Sequence, residues 1–497
     1  MPMTVSPSRG PALLGASTAL VLLVTGCFTD GGQDTEGRLG VALAFPPVKQ
    51  MSPFSDDALL LGRVGAAEPL TRLDEEGELQ PLLAQDWDQD EDGAWTLQLR
   101  EDVTFHDGNP MEAEHVVEAL EHASAASPRP RALVGTDLDA SAEDEHTVRV
   151  ETGDGDPILP QRLSAPELAI LAPSAYEGDP AAPDPVGAGT GPFELTEVGG
   201  GSATLEAHTD YWNGAPSAQG VDVDFVENDA SRVGGLRTGE VDVVDAVPIV
   251  EAEAMDEDEL VEVPIPRTVG VLLNNESGAF TDPGMRAAAA GSVDSAPVAE
   301  GVYEGRADAV EGLYGPVSDW AEERARPEGA DPEDPDGETI TLATYDDRPE
   351  LPEAASAVAE DLRSAGFEVE VTVQDFATME TDLMEGAHDA VIGTRSYLVE
   401  TNDPVNYLAS DWSCEGSYNL ARFCEEDVDT MIAEAAGHTE PEERHEAAVE
   451  IEQAVLATDS FVPLVAERAR VGVSEGVEGV AQDPLERTLI TERTRVP

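Results

Sequence analysis

Between Thr96 and Leu120 the chain reads TLQLREDVTFHDGNPMEAEHVVEAL, and the segment FHDGNPMEAEH gathers groups that could do chemistry. His106 and Asp107 are adjacent, and Glu112, Glu114 and His115 follow within a few residues. Imidazoles and carboxylates are the ligands of divalent metals and the acids and bases of hydrolysis. Glu112 and His115 are spaced to share a helix face. A metal centre, however, needs three or four convergent ligands held by further hydrogen bonds. The local physics points elsewhere: DGN is turn chemistry, Gly108 supplying an unusual φ and Asp107 able to bond its own backbone. Pro110, Glu112 and Glu114 suit a helix start, the acids lying at the positive end of its dipole. Scaffolding is the expectation, and an exported metal-dependent hydrolase centred on His106, Asp107 and His115 is the rival.

Other signatures of catalysis are missing from the sequence. No GxSxG and no HExxH occurs, and His106, His115, His122, His146, His208, His388, His438 and His445 stand mostly among polar neighbours. GGGSAT around Gly199–Thr204 lacks the lysine and the strand-to-helix setting of a phosphate loop and reads as a hairpin turn. GAGTGPF is glycine-rich but leads into a strand. No catalytic residue, metal or cofactor is expected.

These groups must be positioned by a chain of 497 residues, 41% hydrophobic, which is long enough for two or three domains. RLGVALAF reads as a first strand, SPFSDDALLLGRVGAAEPL runs helically, and TRLDEEGELQPLLAQDW is a turn with apolar flanks. GAWTLQLR alternates, with Trp95, Leu97 and Leu99 on one face, and MEAEHVVEALEHAS is a helix burying Val116, Val117 and Leu120. HTVRVE is another strand, and YEGDPAAPDPVGAGTGP marks a boundary. FELTEVGGGSATLEAHTDYW is then a hairpin. VDVDFVE, ASRVGGLRTGE and VDVVDAV form one β-α-β unit; TITLATY, PEAASAVAEDLRSAG and FEVEVTVQDF form a second. VGVLLNN and HDAVIGTRSY are strands, and PEGADPEDPDGE an acidic, disordered-looking loop. EEDVDTMIAEAAG and PEERHEAAVEIEQAVLATDS are amphipathic helices, and FVPLVAERARVGVS returns as strands. The class is α/β, built as more than one lobe.

The charge is extreme: 103 acidic residues against 27 basic give a formal −76, with Lys49 the single lysine. That field repels nucleic acid and anionic headgroups, so neither is an expected partner. At the N-terminus Arg9 precedes an apolar run of about 14 residues that ends at Val24-Thr25-Gly26-Cys27. The run is short for a spanning helix and reads as a signal segment. VTGC resembles a lipobox, so Cys27 is expected to carry the lipid anchor, with FTDGGQDTEG as a tether. The two other cysteines, Cys414 and Cys424 in DWSCEGSYNLARFC, form an even pair in an exported chain and are expected to be a disulfide. No CxxC or nearby histidine pair completes a zinc site there.

LQPLLAQDWDQDEDGAWTLQLREDVTFHDGNPMEAEHVVEAL resembles the signature of the family 5 extracellular solute-binding proteins, the substrate-binding components of peptide/nickel-type ABC importers. GTGPFELTEV, TDYWNGAP, LRTGEVDVVDAV, LLNNESGAFTDPGMRAAAAGSVD, LRSAGFEVEV, NDPVNYL, DVDTMIAEA and FVPLVAE follow in that family's order. The resemblance implies a two-lobe periplasmic-binding-protein-like fold of type II with an extra domain in the N-terminal half. It places the signal at 1–26, the tether at 27–35 and the extra domain at 59–179. Lobe I would be 36–58, 180–265 and 469–497, and lobe II 266–468.

The resemblance also implies function. The chain would be no enzyme but a lipid-anchored monomer on the extracellular face of the cytoplasmic membrane. It would capture a peptide or similar small solute by lobe closure and deliver it to ABC permease subunits. A nickel chelate or other metallophore is the alternative ligand, and a sensory or adhesive lipoprotein the third reading. In peptide-binding members an acidic residue before a DP segment pairs with the ligand ammonium, and an upstream arginine with its carboxylate. The matching residues here are Glu400, Asp403 and Arg348, unless these are solvated surface charges. Tyr397, Tyr407 and Trp412 would line the pocket or pack in the lobe core. Met51, Ser52 and Phe54 occupy the loop that faces the cleft in this family.

Overall fold

Apolar residues alternating between turn residues form strands here, and apolar residues recurring three or four apart form helices. The computed structural model describes residues 37–497, apart from 75–76, 154, 322–323, 325–326, 347, 399–400 and 402. Cys27 and Glu400 therefore lie outside the described residues. Helix Glu350–Ala365 shows the local logic. Leu351, Ala354, Ala355, Val358, Ala359 and Leu362 make one buried stripe, Glu350 and Glu353 sit in the first turn, and Gly366 ends the helix at φ 112°. The strands flanking it, Thr339–Tyr345 and Glu368–Gln374, pair in parallel, which completes a βαβ unit.

A sheet of 11 strands runs through the molecule. From one edge the order is Glu368–Gln374, Thr339–Tyr345, Ala390–Ser396, Leu260–Leu273 and Phe461–Val473. It continues through Val243–Val244, Arg38–Leu43, Gly220–Phe225, Ser202–Ala207 and Phe193–Gly199, with Asp308–Ala309 pairing off the path. The last two strands are the expected hairpin, turned by Gly199, Gly200 and Gly201, all at positive φ. Helices cover the sheet to form two lobes. One apolar core joins Leu39, Val41 and Leu205 to Leu97, Val116 and Leu168 of the N-terminal half. A second gathers Ile340, Leu342, Val358 and Ile392, and a third Tyr314, Trp412, Phe423 and Ile451.

Two long strands carry the chain between the lobes. Leu260–Leu273 and Phe461–Val473 pair antiparallel, but the register breaks between Pro264 and Thr268. Pro264 stands opposite Arg468 and Thr268 opposite Ala466, which leaves Ile265, Pro266 and Arg267 facing Glu467 alone. Neither proline has an N–H to donate to the ladder, and the sequence VPIPR therefore produces the interruption. On one side of it the pair adjoins Val243–Val244; on the other, Arg267–Leu273 pairs with Ala390–Ser396.

A separate four-stranded antiparallel sheet, Ala84–Gln89, Trp95–Leu99, Thr147–Thr152 and Leu138–Ala142, forms the extra domain with helix Ala113–Ala125. Several elements differ from the sequence reading. Only Ala58–Arg63 of SPFSDDALLLGRVGAAEPL is helical, because Gly65 takes φ 69° and its carbonyl accepts from Phe193 N–H. The segment read as a turn carries strands Thr71–Leu73, Leu79–Pro81 and Ala84–Gln89. VPIPRTVGVLL and FVPLVAERARVGV are each one continuous strand. Val117 is half-buried, unlike Val116 and Leu120. The acidic loop is anchored by buried Pro335 and by Glu333 N–H donating to Gly284 O at 3.0 Å.

Candidate functional site

The segment FHDGNP is a joint between the extra domain and the large sheet. His106 donates its backbone N–H to Gly189 O at 2.9 Å, and its ring Nε2 lies 2.9 Å from Gly191 O. A carbonyl only accepts, so Nε2 carries a hydrogen. Burial pushes its pKa down to about 4. His208 stands edge-on to it, with ring centroids 5.0 Å apart. The glycines of GAGTGP allow this docking: a Cβ on Gly189 would fall 2.0 Å from Ala66 O, and one on Gly191 2.3 Å from Gly65 O. Asp107 accepts from Asn109 N–H, and His115 Nδ1 accepts from Glu112 N–H at the helix start. Among the described residues no group of three or more His, Cys, Asp or Glu is placed to hold a metal. The local reading as scaffold describes what these side chains do.

The charges that converge lie at the break in the crossing strands. Glu467 Oε2 is 3.5 Å from Arg348 Nη1, accepts from Thr394 Oγ1 at 3.2 Å and is 3.9 Å from Arg267 Nε. Tyr303 OH reaches its other oxygen at 3.5 Å. Arg267 in turn faces Glu486 at 3.7 Å, across to the C-terminal segment. Nearby Arg470 donates to Val247 O at 2.8 Å, and burial raises the carboxyl pKa of Glu350. Within this group Arg348 differs from its anion: its side chain is 39% exposed, whereas that of Glu467 is 9% exposed. Arg348 has five N–H donors and, among the described residues, uses them in one long contact.

A pocket adjoins this seam. Tyr345 OH accepts from Thr394 N–H at 3.0 Å. Arg395 pairs with Asp411 through Nε–Oδ1 at 2.9 Å and Nη2–Oδ2 at 3.3 Å, and its guanidinium lies 4.7 Å from the Tyr418 ring centroid. Tyr345, Thr394, Arg395, Tyr407, Asp411, Trp412 and Tyr418 all line it, with Leu272 and Phe461 beneath. The result is an apolar, ring-walled hollow with one charge pair beside a partly exposed arginine. The hollow is narrow, about 20 Å³, which is room for about one water.

The residues expected from the sequence divide accordingly. Arg348 lies at the seam; Tyr407 and Trp412 are buried in the third apolar core and edge the hollow from within it, Trp412 Nε1–H donating to Tyr407 OH at 3.1 Å. The other assignments meet different surroundings. Asp403 is buried, and its oxygens take Arg444 Nε at 2.6 Å and Nη2 at 2.7 Å while capping helix Pro404–Asp411. Tyr397 is buried with its hydroxyl on Ser318 Oγ and Gly315 N. Met51, Ser52 and Phe54 are buried too, Phe54 against Tyr176 at 6.4 Å, because Asp57 accepts the N–H groups of Val48, Lys49 and Met51 and folds that loop inward. Cys414 and Cys424 are disulfide-bonded. Arg267, Tyr345, Arg395, Asp411, Tyr418, Glu467 and Glu486 were not anticipated. One signal was available: ERAR, four residues with three charges inside an otherwise apolar strand, requires paired charges in the interior.

Comparison with known proteins agrees with this architecture. The family described as bacterial extracellular solute-binding proteins, family 5 Middle, matches residues 78–419. The nickel-binding protein NikA of Staphylococcus aureus is 23% identical over 448 residues, covering 86% of this chain and 87% of its own. The probable D,D-dipeptide-binding periplasmic protein DdpA of Escherichia coli is 25% identical over 438 residues, covering 81% and 82%. The crystal structure of Staphylococcus aureus NikA in complex with Ni(L-His)2 shares the fold, with a TM-score of 0.75 at 20% identity over 93% of this chain and 100% of that one.

Proposed function

The chain belongs to the family 5 bacterial extracellular solute-binding proteins, and from that premise we propose that it binds a peptide or similar small solute at the seam around Arg348. Membership makes it a binding protein rather than an enzyme. The observation that carries the site is the spare capacity of Arg348. It is partly exposed, holds one contact among the described residues, at 3.5 Å to Glu467, and is joined through Glu467 to Thr394 at the edge of the aromatic hollow. A ligand carboxylate would complete a bidentate pair with it. The narrow hollow beside Arg395 and Tyr418 would have to widen on binding to take the ligand's apolar group. Glu400, outside the described residues, remains our proposed partner for a ligand ammonium.

Closure would turn on the interrupted ladder at Pro264–Thr268, bringing the C-terminal segment with Glu486 against the second lobe. We also propose that Cys27, outside the described residues, is lipidated and tethers the protein to the outer face of the membrane. There it would hand its ligand to ABC permease subunits as a monomer. A nickel chelate is the second reading, favoured by the likeness to the nickel-binding protein NikA of Staphylococcus aureus. The carboxylates of a histidine chelate would meet the same arginine. Mass spectrometry of ligand released from freshly purified protein tests the choice. Peptides support the first reading, nickel with its chelator supports the second, and a lipid or sugar would exclude both.

A further inference from the structure

A second hollow, of about 730 Å³, lies between the extra domain and the C-terminal segment. Its walls come from residues 61–213 and 479–493 and include nothing from 214–478, so the second lobe and the crossing strands take no part in it. Two of its arginines are unusual. Most described arginines in this acidic chain hold a carboxylate, as Arg38, Arg162 and Arg444 do. Arg72 is exposed on strand Thr71–Leu73 and has no ion pair among the described residues. Arg100 has none either; it donates to Leu82 O at 2.6 Å and lays its guanidinium 4.1 Å from the Trp212 ring centroid.

The acids that share this hollow already have partners. Glu68 accepts from Tyr211 OH at 2.7 Å and Trp212 Nε1 at 3.2 Å, and its burial raises its pKa to about 7, which weakens its charge. Asp74 accepts from Gln80 Nε2 and Glu78 N–H, and Glu492 from Asn213 Nδ2. Asp483 accepts backbone N–H groups of Leu485, Arg487 and Thr488. Arg72 and Arg100 are the groups with donors to spare, and they stand beside an indole and apolar walls.

We infer that this groove is a second ligand site, taking a small organic anion with a planar apolar body. The acid group pairs with Arg72 and Arg100, and the body lies against Trp212 and Leu82. The site does not depend on the seam around Arg348.

Titration calorimetry of the full-length protein with 2-naphthoate tests it. Saturable binding is expected, weakened tenfold or more by Arg72→Gln and by replacing the probe with uncharged 2-naphthol. The Arg72 side chain bonds no acceptor among the described residues, so this variant keeps the fold. Arg348→Ala should leave the affinity unchanged. Absence of saturable binding, equal affinity in Arg72→Gln, or loss of binding in Arg348→Ala would overturn the inference.

Discussion

Arg267 and Glu467 meet where the two crossing strands lose register, Nε lying 3.9 Å from Oε2 and three residues of one strand facing one of the other. The same carboxylate faces Arg348 and accepts from Thr394, so one anion serves both the register break and the proposed ligand arginine. Glu467→Gln leaves two arginines short of that charge. We predict a loss of about 1–3 kcal/mol in urea unfolding. A change no larger than that of an exposed ion pair, under about 1 kcal/mol, would show that water rather than Glu467 satisfies them.

Asp403 and Arg444 form the tightest buried ion pair of the second lobe, with both partners at most 5% exposed. Removing one partner of such a pair typically costs 3–5 kcal/mol, roughly what Arg444→Met or Asp403→Asn should lose on denaturation. Ligand affinity of the folded fraction should hold. An Asp403→Asn protein of normal stability that no longer bound ligand would restore Asp403 to the binding site.

Stability should depend on pH through two desolvated groups of opposite sign, half-buried His106 and buried Glu68. The pKa of His106 is lowered to about 4, first by burial, so the folded state resists taking up its proton. Its contribution is complete above pH 6.5 and is lost as pH falls through 4, a difference of roughly 3 kcal/mol. Glu68, raised to about 7 chiefly by burial, acts the other way: the fold loses stability as pH rises from about 4.5 to 7. Thermal melts between pH 4 and 7.5 should therefore show Glu68→Gln gaining stability with pH more steeply than the native chain. His106→Gln should gain less than the native chain, and identical profiles for all three would refute both assignments.

The Cys414–Cys424 bond closes a loop of short span, with a sequence separation of 10. Chain entropy then gives about 3 kcal/mol or less. Reduction with a phosphine should lower the unfolding midpoint without abolishing folding, since Trp412 and Phe423 on either side already belong to a packed core. Complete unfolding on reduction would mean that the bond holds this lobe together.

Local physics made much of the fold legible. The stripe of Glu350–Ala365, the Gly199–Gly201 hairpin and the turn at Asp107–Asn109 each follow from residues close in sequence. Partners distant in sequence were not legible. Asp403 looked like a free carboxylate because Arg444, its partner, stands 41 positions away on another helix. Ser52 and Phe54 looked cleft-facing because the loop's inward fold depends on Asp57 accepting three backbone N–H groups. The sequence reading took only VGVLLNN as strand, yet within the sheet the prolines of VPIPR belong to the same continuous strand, Leu260–Leu273, and mark where it passes from lobe to lobe. The pocket escaped for a similar reason, since Arg395, Asp411 and Tyr418 converge only once the lobe is folded.

The central claim is that Arg348 receives the ligand's carboxylate, and calorimetry on Arg348→Ala tests it most directly. The titrant is the solute identified from the purified protein, or a dipeptide and a nickel–histidine chelate where none is retained. Loss of a charge-assisted pair of about 1.5–3 kcal/mol predicts affinity reduced roughly tenfold to a hundredfold, with unfolding stability close to native. Unchanged affinity for a ligand that the native protein binds would contradict the account and move the site away from this seam.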